Sequence, residues 1–377
     1  MTSPAARQPF EPPPYPYDRL ADVATIAEAH PGGAVDLSVG TPFDPPDPMV
    51  LAALASADDA HRYPASVGLP PLLGAAARWM QRRFDIDVPT AHIGAAIGAK
   101  EFVASLPSLL VLRRPDRDTV LYPAISYPSY EMGATLASCR AVAVPARSDG
   151  TLDLDAIDPA DAARALVLWV NSPANPTGAL DDLGAAASWG RAHDVPVFSD
   201  ECYVEFTWTE RGRSILEHGT DGVVAVHSLS KRSNLAGLRV AFYAGDAELV
   251  QYLREVRKHG GMMMPGPAQA AGAVALDDDA HVELQRERYH RRLTLLADAL
   301  TAWSGSRVEL PAGGFYLWVP TADTDGWGFA ERLAADAGAI VSPGEFYGAA
   351  GERFVRIAVV QPDDRLRLVA QRLGVAS

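Results

Sequence analysis

Lysine is scarce in this chain: only Lys100, Lys231 and Lys258 are lysines among 33 basic residues, so a side-chain amine nucleophile has three possible sources. Lys231 stands out because it closes VVAVHSLSK, an apolar run that reads as a buried strand running into a polar turn. A lysine at the mouth of a hydrophobic sheet is costly unless it is paired or neutral. Schiff-base chemistry with a carbonyl is one use that needs it there. Two further strand-like runs end in polar residues. RALVLWV passes into NSPANPTG (Asn171–Gly178), and VPVFSDE sets Asp200 and Glu201 at its end with Tyr203 close behind. Ligands of α/β sheets bind outside the carboxyl ends of the strands. Taken singly each motif is weak: Asn-Pro-Thr-Gly is an ordinary turn, an Asp after a strand is often a helix cap, and Ser-x-Ser-Lys carries little information. Their order, with a lysine at the end of a buried strand, gives them weight.

If the carbonyl is that of pyridoxal phosphate, the remaining requirements are definite. The ring nitrogen needs a carboxylate so that the ring can serve as an electron sink. The phenolic oxygen needs donors, the ring face an aromatic neighbour, and the phosphate hydroxyls, amides and an arginine. The sequence offers each, and on these residues it resembles the fold-type I pyridoxal-phosphate aminotransferases of class I/II. SLSKRSNLAGLRV is similar to the family signature S-x-S-K-x7-R, with Arg239 eight positions after Lys231. The resemblance implies that Lys231 carries the covalent link to pyridoxal 5'-phosphate and serves as the catalytic base, and that Ser228, Ser230 and Arg239 hold the phosphate. NSPANPTG resembles the Asn-Pro loop, which makes Asn175 a donor to the phenolic oxygen and a neighbour of substrate. DECY resembles the D-x-x-Y element, which puts Asp200 on the ring nitrogen and Tyr203 on the phenolic oxygen. ISYPSY implies that Tyr127 stacks on the ring. IGAKEF resembles the phosphate-binding turn at a helix N-terminus, with Ala99 and Lys100 supplying amides where the family often has a hydroxyl. YPASVG implies that Tyr63 reaches the phosphate of a neighbouring subunit, and hence a homodimer with shared sites. SVGTP and FVRIA place Gly40 and Arg356 at the substrate, with Arg356 gripping the α-carboxylate through its planar fork.

Positioning these residues requires strands alternating with helices. DTVLYP, RAVAVPA, RALVLWVNSP, VPVFSDE, VVAVHSLSK and LRVAFYAG are short, apolar and β-rich, with helical patterns such as LDDLGAAASWGRAHD between several of them. That rhythm predicts an α/β fold with a largely parallel sheet covered on both faces. Apolar residues from Leu72 to Phe84 fit an amphipathic helix opened by Pro70 and Pro71. After about residue 265 the pattern becomes α+β, with one long helical stretch from PAQAAGA to LTAW. The resemblance implies a large domain with a mainly parallel seven-stranded sheet plus a smaller α+β domain. The expected division is 1–44 for an N-terminal arm and part of the small domain, 45–285 for the large domain and 286–377 for the small one. The formal charge of −14 argues against a nucleic-acid or anionic-membrane partner. Two cysteines build neither a disulfide framework nor a thiolate metal site, and the nine histidines show no H-x-x-x-H spacing, so no metal is expected. The Pro-rich start lacks a signal-peptide core and no apolar run approaches a membrane span, so the default compartment is the cytoplasm.

HSLSKRSNLAG, EVRKHGGMMMPGPAQAA, LDDDAHVELQRERY and GEFYGAAGERFVRIA are further similar to actinobacterial-type N-succinyl-diaminopimelate aminotransferases. This implies transfer from glutamate to N-succinyl-2-amino-6-oxopimelate, on the diaminopimelate route to lysine. VVQPDDRL and PAGGFYLW depart from that pattern and leave the acceptor open. The alternatives are a transaminase of secondary metabolism with another acceptor, or a pyridoxal-phosphate C–S lyase. A regulator with an aminotransferase-like sensor domain is disfavoured by the short, Pro-rich start, and a nicotinamide dehydrogenase by the absence of G-x-G-x-x-G after a first strand. An acceptor with several carboxylates needs a cation beyond Arg356; Arg19, Arg62, Arg232 and Lys258 are the candidates, with Lys258 beside a Gly/Met-rich stretch that reads as pocket lining.

Overall fold

The computed structural model describes residues 10–58, 61–322 and 324–375. Residues 1–9 of the Pro-rich start lie outside them. In chain order the strands are β1 (Val35–Asp36), β2 (Ile93–Ile97), β3 (Thr119–Pro123), β4 (Arg140–Val144), β5 (Ala165–Asn171), β6 (Val197–Asp200), β7 (Val223–Ser228), β8 (Val240–Gly245), β9 (Tyr316–Pro320), β10 (Ala339–Ile340), β11 (Ser342–Pro343) and β12 (Phe354–Ala358). Seven of them form the central sheet in the order β2-β8-β7-β6-β5-β3-β4. The pairings from β4 to β7 are parallel, and β8 runs antiparallel to both β7 and β2. The α/β class and the mainly parallel sheet agree with expectation. The reversed β8 and the edge strand β2, whose IGAAI run is too small-sided to signal a strand, were not foreseen.

β5 and β7 are buried along their whole length, because both sheet faces are covered and a continuous apolar run is then the stable choice. Alternation still decides the side. Leu168, Val197, Ala225 and Phe242 join a core beneath the helix Pro70–Phe84, whereas Trp169, Phe198, Val224 and Tyr243 join a core beneath the helix Ala99–Arg113. Proline at the first turn of the former suits its start, where no backbone donor is needed. A third core belongs to the smaller domain. It gathers Leu20 and Val23 from the start of the chain, Tyr289 and Leu293 from the helix Ala280–Ser304, and Leu317 and Val355 from the antiparallel sheet β11-β12-β9. The expected long helical stretch is two helices, Gly266–Asp277 and Ala280–Ser304, separated where Asp277, Asp278 and Asp279 follow one another. Among the described residues no helix is long and apolar enough to cross a membrane.

Candidate active site

β5, β6 and β7 lie side by side in parallel and end at Asn171, Asp200 and Ser228. The three polar segments therefore open at one sheet edge, onto a cavity of about 320 Å3. Asn175, Asp200, Tyr203, Ser228, Ser230 and Lys231 line it, joined by Ala99, Lys100, Tyr127 and Arg239 from the large domain and by Gly40 and Arg356 from the other side. Of the residues expected at the cofactor or the α-carboxylate, Tyr63 alone is outside this lining; it is 94% exposed.

One end of the cavity is built for an anion. Gly98, at φ 82°, precedes the helix Ala99–Arg113 and turns the chain so that the first helical amides are free. A Cβ on Gly98 would fall 2.0 Å from the Arg239 guanidinium, so only glycine lets that side chain lie against the helix start. Arg239 itself has φ 57° and donates to the Ala236 carbonyl at 2.8 Å. Beside it the Ser228 and Ser230 hydroxyls are 3.0 Å apart, and the Ser228 hydroxyl accepts from the Ser230 amide at 3.2 Å.

Deeper in, Asp200 accepts from the Tyr130 hydroxyl at 2.9 Å and from the Cys202 amide at 3.1 Å. No cation pairs with it among the described residues, and burial raises its pKa. Lys231 is its complement. Burial, then the Arg356 and Arg239 charges, push its pKa down to about 8. Among the described residues no carboxylate pairs with its amine, which donates to the Gly40 carbonyl. The Tyr203 hydroxyl lies 2.9 Å from that of Tyr316.

Arg356, on β12, is 1% exposed. It donates to Asn175 Oδ1 at 2.9 Å, to the Ser38 carbonyl at 2.6 Å and to the Tyr17 hydroxyl at 3.1 Å, and its Nε has no partner. Its guanidinium lies 4.1 Å from the Tyr316 ring centroid and 4.7 Å from that of Tyr347. A surface ion pair is thereby ruled out: among the described residues this buried cation meets dipoles and ring faces but no carboxylate.

Four lining tyrosines escaped the sequence reading: Tyr15, Tyr17, Tyr130 and Tyr316. The pair in PPYPYD was the available signal, since aromatic residues two apart in a proline-rich arm point to docking. The proposed distal cations need correction. Arg232 is buried between Glu205 at 3.0 Å and Asp279 at 3.1 Å, and is committed to holding helices together. Lys258 is in the last turn of the helix Ala247–His259 with its side chain 61% exposed, 3.9 Å from Glu255, and Met264 from the neighbouring stretch is core. Arg19 pairs with Glu345 at 2.7 Å over Trp327 and Phe346, and Arg62 is exposed beside His61. None lines the cavity. Lys100 does: its ammonium donates to the Tyr15 hydroxyl at 3.2 Å and lies 5.7 Å from the Tyr127 ring centroid.

This donor set fits pyridoxal 5'-phosphate. A dianion matches the helix start, guanidinium and paired hydroxyls. A protonated ring nitrogen matches the unpaired acid Asp200. A carbonyl carbon matches an amine that loses its proton near pH 8. The comparisons agree. The family model for aminotransferase class I and II matches residues 33–373. The chain is 41% identical over 369 residues to the 4-dedimethylamino-4-oxo-anhydrotetracycline transaminase of Streptomyces rimosus, covering 96% of this chain and 99% of that one. It is 42% identical over 374 residues to a probable aminotransferase of Mycobacterium tuberculosis, covering 96% and 85%. A solved structure of a probable N-succinyldiaminopimelate aminotransferase from Thermus thermophilus superposes with a TM-score of 0.84 at 31% identity, covering 95% of this chain and 98% of that one. The chain thus belongs to the class I and II aminotransferases, pyridoxal-phosphate enzymes of fold type I.

Proposed function

We propose that this aminotransferase moves the amino group of glutamate to an oxo acceptor that carries a second anionic group, the class that includes N-succinyl-2-amino-6-oxopimelate. The cofactor, when bound, supplies the electron sink that makes a Cα proton labile. In this reading Lys231 carries the cofactor link and then moves the proton, for which an amine with a pKa near 8 is suited. Asp200 holds the ring nitrogen charged. Asn175 and Tyr203 donate to the phenolic oxygen, Tyr127 covers the ring, and Ser228, Ser230, Arg239 and the amides of Ala99 and Lys100 hold the phosphate. Tyr63 completes that cradle from a partner subunit, and Arg356 takes the α-carboxylate beside Gly40.

One observation carries the substrate class. Arg239, Lys231, Arg356 and Lys100 line the cavity; the first three have tasks in any amino-acid transamination, and the Lys100 ammonium, which donates to the Tyr15 hydroxyl but meets no carboxylate among the described residues, is left to meet a distal anion. The test is a coupled assay in which the glutamate-treated enzyme is restored by a panel of acceptors, with Lys100→Ala alongside wild type. Lys100→Ala is expected to raise KM for dianionic acceptors about tenfold or more, the scale of one charge-assisted contact, with pyruvate little affected. Equal effects on both acceptors would overturn the assignment.

A second reading is favoured by the tyrosine rings that line the cavity. Tyr15, Tyr17 and Tyr127 offer flat faces that suit a cyclic ketone, the kind of acceptor named for the Streptomyces relative. Faster restoration by a polycyclic ketone than by any dianionic oxo acid would select it.

A further inference from the structure

We propose that Tyr316 is a positioning residue that aims the Tyr203 hydroxyl at the cofactor's phenolic oxygen and ties that aim to Arg356. The inference rests on the proposed placement of Tyr203 at that oxygen. Both side chains are buried, Tyr203 at 6% and Tyr316 at 2% exposure, and their hydroxyls are 2.9 Å apart. Neither hydroxyl has another hydrogen-bond partner among the described residues. Each phenol owns one proton, so one ring donates across the pair and the other proton must point elsewhere.

The surroundings choose the donor. The Arg356 guanidinium lies over the Tyr316 face at 4.1 Å and draws electron density from that ring. Burial raises both hydroxyls and the Arg356 charge opposes it in both, but the guanidinium faces the Tyr316 ring and not that of Tyr203. Tyr316 is therefore the better donor and Tyr203 the acceptor, which leaves the Tyr203 proton with no protein acceptor on the cavity side. The strand register builds the stack: Ala358 is opposite Tyr316 and Arg356 opposite Trp318, so Arg356 is the diagonal neighbour of Tyr316 on one sheet face. Gly40 completes it, since a Cβ there would fall 1.9 Å from the Tyr316 oxygen. Arg356 thus reaches the phenolic oxygen by two arms, one through Asn175 at 2.9 Å and one through the Tyr316 ring and Tyr203.

The test is a pH titration of the cofactor's visible band in holoenzyme, comparing wild type, Tyr203→Phe, Tyr316→Phe and the double variant. The band reports the proton on the lysine-linked nitrogen, which is held more tightly when the phenolic oxygen loses donors. Tyr203→Phe is expected to raise the apparent pKa. Tyr316→Phe is expected to raise it by roughly half a unit to one unit, with no further rise when added to Tyr203→Phe. If Tyr316→Phe leaves the pKa in place, or shifts it equally in both backgrounds, the positioning role is wrong while the placement of Tyr203 stands. If Tyr203→Phe itself shifts nothing, the placement and the relay both fall. Thermal melting of each variant separates a misfolded Tyr316→Phe protein, for which Tyr316→Leu, smaller and without a donor, gives the same readout.

Discussion

Three pairs of neighbours at the ends of β6 and β7 face opposite ways: Asp200 and Glu201, Ser228 and His227, Lys231 and Arg232. The first of each pair lines the cavity. The second lies behind it, against Trp79 and Phe242. Behind the sheet, every buried charge has a partner or has been lost. Arg232 meets Glu205, Asp279, the Ser233 hydroxyl and the Ala275 carbonyl. Glu205 also accepts from Trp79 Nε1 at 2.7 Å and pairs with Arg83 at 2.7 Å. Glu201 and His227 are 3.5 Å apart, but burial pushes the acid up to about 8 and the imidazole down to about 3, so near neutral pH they are a neutral pair. In front of the sheet Asp200, Lys231 and Arg356 have no partner of opposite charge among the described residues, and burial shifts the first two toward neutrality. A fold that pairs or neutralises its buried charges on one side of a strand and leaves them unpaired on the other has reserved the open side for a ligand.

The contrast can be broken from behind first. Arg232→Ala removes one of the two cations on the buried Glu205 and leaves the Ala275 carbonyl unpaired, and is expected to cost about 3 kcal/mol; urea unfolding with the cofactor band as a second probe measures it, and the folded fraction should retain its band. In front, Asp200→Asn keeps the shape and removes the charge. It should lower kcat about 10²–10³-fold with little change in melting temperature, read by single-turnover kinetics and a thermal scan. The smallest effect belongs to the neutral pair. Between the ordinary glutamate value of 4.5 and about 8, Glu201 keeps its proton in the folded chain and loses it in the unfolded one. The Glu201 contribution to stability therefore falls as pH rises across that window, against a rising contribution from His227 below its ordinary 6.5. Glutamine does not ionise, so Glu201→Gln should gain on wild type over the same range, by ~1 kcal/mol or more at its upper end, measured as the difference in unfolding free energy at pH 5 and pH 8.

The same two sides explain what could be read from the chain alone. Lys231, Asp200, Asn175 and Arg239 stand in short contiguous motifs at strand ends, so one local pattern carries both position and chemistry. Arg232 is in the same motif, but its role depends on Glu205 and Asp279 from distant elements, and its charge made it look like a substrate ligand. Lys258 misled for the opposite reason: a Gly/Met-rich run follows close behind it, yet the helix Ala247–His259 turns its side chain to solvent. Tyr17 and Tyr316 reach the cavity only because the smaller domain folds both ends of the chain onto Arg356. No window of sequence contains that encounter. The parallel core of the sheet followed from apolar runs alternating with helices, whereas β8 reverses direction through the tight turn at Ala236–Arg239, which hydrophobic periodicity does not report.

The central claim is that the open side is organised around one amine that burial and neighbouring cations bring close to neutrality. The direct measurement is the rate at which cofactor-free protein captures pyridoxal 5'-phosphate, followed by its visible band from pH 6 to pH 10 in wild type and Lys231→Ala. The account predicts a rate that climbs through about pH 8, as Lys231 loses its proton, and then levels off, with no lysine-linked band in the variant. Capture that ignores pH over this range, or an undiminished band in Lys231→Ala, would contradict it.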